Sequence, residues 1–153
     1  MGTVSARATL AGAGIDEAAA LWFALERRPT FIDGFGHLDR SEGAWPCAGS
    51  RIVWISRKAA SARVAENVIA YEPRRSQAVA IEDAELSGTQ IVRLDPRGTD
   101  CQIELELRYR LKRQDIASGL ADVILIRRRQ RASLRRTLAR FAIELAAEQE
   151  LHS

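Results

Sequence analysis

The clearest pattern along the chain lies between Cys101 and Lys112. Cys101, Ile103, Leu105, Leu107, Tyr109 and Leu111 alternate with Gln102, Glu104, Glu106, Arg108, Arg110 and Lys112. A period of two over twelve residues predicts a strand with one dry and one wet face. Weaker alternation predicts a first strand over Val4–Ala13, ended by Gly12 and Gly14. Further strands are expected at Phe35–Arg40, Ser50–Ser56, Ala62–Glu72, Gln77–Glu82 and Gln90–Leu94. Glu42–Gly49 reads as a loop holding Trp45. Turns are expected at Ser87-Gly88 and at Pro96-Arg97-Gly98. The connections after Gly49 are short, which favours an antiparallel meander.

Two stretches break this period. Asp16 is a plausible N-cap for a short helix over Ala18–Glu26, with Glu17 in its first turn and Pro29 stopping its extension. Thr30–Gly34 reads as a second short helix or turn that puts Phe31 and Ile32 inward. The last stretch, from about Ala117 to Glu150 and capped by Asp115 or Ser118, is one long helix of roughly 50 Å. On a helical wheel Ile116, Leu120, Val123, Ile124, Leu134, Leu138, Phe141, Ala142 and Leu145 share a face. A long strand feeding a long closing helix predicts an α+β fold: a curved antiparallel sheet wrapped around the C-terminal helix, with two short helices near the N-terminus. Such a shape encloses a pocket.

Composition narrows the classes. The 153 residues are 46% hydrophobic and 28% charged, which suits one ordinary globular domain. No run of 18 apolar residues suggests a membrane span, and no basic start followed by an apolar stretch suggests a secretory signal, so a cytoplasmic location is expected. Net charge is +3, carried almost wholly by arginine, a bias typical of GC-rich bacterial genomes. Cys47 and Cys101, with only His37 and His152 to help, do not make a metal site, and none is expected. No cofactor is implied, since Gly12-Ala13-Gly14 lacks the third glycine and the βαβ context of a dinucleotide site.

The element order, together with Glu26–Gly34 (ERRPTFIDG), Gly49–Trp54 (GSRIVW), Ala70–Arg74 (AYEPR) and Leu134–Phe141 (LRRTLARF), resembles the helix-grip fold of the START/polyketide cyclase superfamily, also known as SRPBCC. The first of these segments is similar to the one after the family's first helix. The second is similar to the strand after its glycine loop. The third is similar to a strand-ending pattern, and the fourth to the closing helix. The resemblance covers nearly the whole chain and implies a cavity between sheet and long helix for sterols, lipids, polyketides or other apolar molecules. It carries no catalytic residue, because the family has no universal catalytic motif.

The wheel holds one anomaly. Arg127 and Arg131 fall on the apolar face, between Ile124 and Leu134. A buried guanidinium is costly without acceptors, so they either bind the anionic or carbonyl end of a ligand, or reach a rim or a sheet carboxylate such as Asp83 or Glu66. Asp83 itself reads as an inward acid or the start of a turn. The acid-free run from Arg127 to Arg140 is a solvated face or a footprint for an anionic partner. No aromatic residues interleave with it, so nucleic acid is not expected. Candidate ligand-binding residues are Trp54, Tyr71, Leu105, Tyr109, Ile124, Arg127, Arg131, Leu134, Leu138 and Phe141. His37 and Asp39 share a strand face but have no nucleophile beside them.

The leading expectation is a protein that binds a small hydrophobic molecule between sheet and helix, with a homodimer left open. The alternatives are a polyketide cyclase or dehydratase acting in the same cavity, and an adaptor for anionic surfaces through the helix arginines.

Overall fold

The computed structural model describes residues 1–58, 62–112 and 119–152. Its elements are β1 (Gly2–Leu10), α1 (Ile15–Trp22), a 3-10 turn at Leu25–Arg27, α2 (Arg28–Phe31), β2 (Phe35–Glu42), β3 (Arg51–Ser56), β4 (Arg63–Glu72), β5 (Ser76–Glu82), β6 (Leu86–Arg97), β7 (Asp100–Leu111) and α3 (Leu120–Leu151). The strands form one seven-stranded antiparallel sheet in the order β1-β7-β6-β5-β4-β3-β2. Strands β2 to β7 are a meander, and β1 is added beside β7. The two short helices carry the chain between the edge strands β1 and β2. The fold is the expected α+β arrangement of a curved sheet with a long C-terminal helix laid across it.

β7 follows its sequence pattern closely. Cys101, Ile103, Leu105, Leu107 and Tyr109 are buried, while Arg108 and Arg110 are exposed. It has a hydrogen-bonded neighbour on each side, with Leu105 opposite Ala6 of β1 and Val92 of β6. That pairing makes β7 an internal strand, next to the edge strand β1, with its dry face toward the helix.

Several boundaries depart from expectation for local reasons. α1 begins at Ile15, and its N-cap is Gly14, with no side-chain cap bond. Asp16 therefore does not cap; it sits in the first turn and pairs with Arg74 at 3.3 Å. Pro29 opens α2 rather than blocking a helix, at a first-turn position where its missing N–H costs nothing. The turn into β7 falls as expected, at Gly98 just after Arg97, but β6 is twelve residues long and runs through the turn expected at Ser87-Gly88. Gly88 makes this possible: a Cβ there would lie 2.1 Å from the Arg108 carbonyl oxygen of β7. The turn falls instead at Asp83, whose carboxylate accepts the backbone N–H groups of Glu85 and Leu86 at 2.8 and 2.9 Å. Asp115, Ile116 and Ser118 lie outside the described residues, and α3 starts after Gly119.

The helix face also differs from the wheel. Leu134, Leu138, Phe141 and Leu145 are buried, but Leu120, Val123 and Ile124 are exposed. Ile126 lies beside Leu111, the last residue of β7, so the turns before it run past the end of the sheet. Toward its C-terminus α3 lies on solid core. Trp22 of α1, Phe31 of α2 and Phe141 pack with ring centroids 5.1 to 5.3 Å apart. No helix among the described residues is long and apolar enough to cross a membrane.

Candidate functional site

Between the sheet and the middle of α3 the packing opens into a cavity of about 400 Å³, within the size range of small-molecule sites. Trp54, Val64, Ile81 and Leu105 form its floor, from four different strands, and Leu134 and Thr137 lie on the roof. Two depressions of similar volume are wetter or shallower. One lies among Arg93, Arg97 and Glu104, and the other beside Leu111 and Ile126.

The floor is held by a buried polar chain. Glu66 shares strand parity with the buried Val64 and Val68, so alternation forces an acid onto the dry face. Its Oε2 accepts from Arg28 Nη2 at 2.9 Å and from Trp54 Nε1 at 2.6 Å. The Arg28 and Glu66 side chains are each only 3% exposed, which puts this pair in the regime where losing one partner strands a charge. The guanidinium also lies 5.4 and 5.7 Å from the Trp45 and Phe35 rings. Its Nε has no hydrogen-bond partner among the described residues. Trp54 stacks on Phe35, centroids 4.6 Å apart. One face and one edge of the indole are thus fixed, and it lines the cavity as a rigid plate.

The rim is ionic and uneven. On one side Asp33, its side chain 4% exposed, accepts from Lys58, from Ser133 Oγ at 2.7 Å, from Arg136 Nε and Nη2 at 3.2 and 3.1 Å, and from Arg140 at 3.3 Å. Its backbone N–H donates to Thr137 Oγ1. Burial alone would push the Asp33 carboxyl up; hydrogen bonds from Arg136, Lys58 and Ser133, with the Lys58 charge, outweigh it and hold the group well below the usual carboxylate range. On the other side Glu85 pairs with Arg129 at 3.3 Å, and Asp83 caps its turn. Among the described residues no group of three or more His, Cys, Asp or Glu side chains converges to hold a metal.

Of the candidate residues, Trp54, Leu105 and Leu134 line this cavity. Leu138 and Phe141 are buried in the closed core further along α3. Tyr71 is half-buried with its ring edge-on to Phe23, and Tyr109 lies against Gly2. Ile124 and Arg127 are exposed and Arg131 is half-buried; none of the three lines the cavity. Arg129 and Arg136 line it instead, reaching round the flank of the helix. Glu66 pairs with Arg28 of α2, not with an arginine of α3. Asp39 pairs with Arg63, and His37 is exposed.

No family model matches the chain, and no curated protein matches it in sequence. Solved structures do resemble it. A conserved protein from Geobacillus kaustophilus superposes with a TM-score of 0.74 at 11% identity, over 95% of each chain. A protein from Thermus thermophilus gives 0.69 at 14%, over 96% of this chain and 99% of that one. DynU16, from the dynemicin biosynthetic locus, gives 0.64 at 13%, over 94% of this chain and 47% of its own length. At such identities the likeness is one of fold. It defines the class: an α+β protein whose antiparallel sheet and C-terminal helix face each other.

Proposed function

We propose that this chain is a helix-grip protein of the START/polyketide cyclase type, and that it binds a small, mainly apolar molecule in the cavity between sheet and α3. The observation that carries the reading is the hollow itself, floored by Trp54, Val64, Ile81 and Leu105 and roofed by Leu134. Binding works by burial. An apolar ligand hiding about 200 Å² gains roughly 5 kcal/mol, before the entropy of association is subtracted.

A cyclase or dehydratase in the same cavity is the second reading, favoured by the fold it shares with a protein of a biosynthetic locus. Such chemistry needs an inward group that can take a proton near neutral pH. Asp33 is poorly suited, being held ionised by its cationic neighbours.

Native mass spectrometry of the purified chain tests binding first, by looking for a co-purifying small molecule. A thermal-shift series with ten-carbon probes follows, since any ligand selective for the folded state raises the melting temperature. Val64→Phe, which fills the floor, should abolish the shift. The reading fails if no small molecule co-purifies and no apolar probe stabilises the protein, or if the Val64→Phe protein responds as the wild type does.

A further inference from the structure

The two sides of the cavity rim carry opposite charge excess. On the Asp33 side three cations, Lys58, Arg136 and Arg140, share one carboxylate. Across the cavity Asp83 and Glu85 outnumber Arg129. A ligand with one charged end would therefore be oriented by the rim.

The Asp33 side has donors to spare. The two Asp33 oxygens take five donor contacts from four side chains, at or beyond the roughly four lone-pair sites of a carboxylate. Lys58 offers three N–H groups and Arg136 five, and among the described residues neither is paired with a second carboxylate. Both line the cavity, with side chains 51% and 48% exposed. Their remaining donors can therefore reach an incoming ligand.

The arrangement is built into the backbone. Gly34, at φ +77°, lies directly under the Lys58 stem, and a Cβ there would come within 3.1 Å of its Cγ, Cδ and Cε. The bare glycine lets Lys58 lie across the chain and reach Asp33. Ser133 and Arg136 are three apart on α3, so one turn of helix presents both to the same carboxylate.

We infer that Lys58 and Arg136 form the seat for the carboxylate of an amphiphilic acid, with Asp33 holding the two cations in place. The apolar chain of the acid then runs inward over Trp54 and Leu105. This rests on the cavity reading and adds to it the chemical class of the ligand.

The test compares decanoate, decanol and decylammonium, which share one chain length and differ in the head group. Calorimetric titration into the full chain at pH 7 and low salt should rank decanoate above decanol by about tenfold, and decylammonium last. The excess should shrink as salt is added, because the seat is half-exposed. In Lys58→Gln and in Arg136→Gln the ratio of decanoate to decanol affinity should fall toward one. Lys58 is half-exposed, so its variant keeps the test valid if Arg136→Gln fails to fold. Decanol binding with no preference for decanoate would overturn the carboxylate seat and leave the cavity reading standing, as would a preference that survives both variants. Binding of none of the three probes would overturn both.

Discussion

The space beneath α3 has two halves built on different rules. Under its C-terminal half, Trp22, Phe31, Leu138, Phe141 and Leu145 fill the gap between helix and sheet. Under the middle of the helix the same two layers leave about 400 Å³ empty. In the first half α1 and α2 contribute Trp22 and Phe31, whose rings pack against Phe141 and supply the volume. Neither ring lines the second half. Its floor is braced by the Arg28–Glu66–Trp54 chain and its rim by the Asp33 cluster. One half is held by packing, and the other by hydrogen-bonded charge around a hollow.

The largest expected effects test whether each half is held as described. Phe141→Ala should cost about 3–5 kcal/mol in denaturant unfolding, as aromatic truncations in a tight core do. Glu66→Ala should cost a similar ~3–5 kcal/mol by leaving Arg28 buried and alone, whereas Arg28→Met with Glu66→Leu should recover most of it. A small loss for Glu66→Ala would mean that the hollow half is not braced by charge. Leu138→Ala should cost about 2–5 kcal/mol, and Leu134→Ala less, because its side chain already faces open space. Equal costs would erase the distinction between the halves.

Acid titration offers a subtler test. Asp33 has its folded-state pKa depressed, so its contribution is fully present above the ordinary value of 3.8. It declines as pH falls below that value and is gone once the pH passes below the folded-state pKa. Asp33→Asn should therefore flatten the loss of stability below about pH 4 seen in urea unfolding; an unchanged acid limb would show the cluster to be energetically idle. Least of all should Arg127→Gln matter. Its exposed side chain should move stability by no more than about 0.5 kcal/mol and leave the decanoate preference intact.

Much of this was legible in the sequence, and the misses have physical causes. The alternation of Cys101–Lys112 gave both the strand and its buried face, because a central strand with one helix-covered side imposes strict parity. Leu105 was legible as an inward residue from strand parity and Leu134 from the wheel, whereas parity left the side of Trp54 open and its place on the cavity wall rests on tertiary structure. Ile124 and Arg127 were misplaced inward because a wheel records angle but not where the sheet ends. Glu66 could have been read as buried, since an acid between Val64 and Val68 breaks the dry face. The Asp33 cluster could not have been found this way. It joins residues 33, 58, 133, 136 and 140 through tertiary packing alone.

Two tryptophans report on the two halves separately. Trp54 lies on the cavity wall, and Trp22 lies in the solid core. In proteins keeping only one or the other, with the remaining tryptophans changed to Phe, a terminally brominated ten-carbon alcohol should quench Trp54 saturably and leave Trp22 bright. Equal quenching of both, or none of Trp54, would contradict a ligand-accepting hollow between the sheet and the middle of the helix.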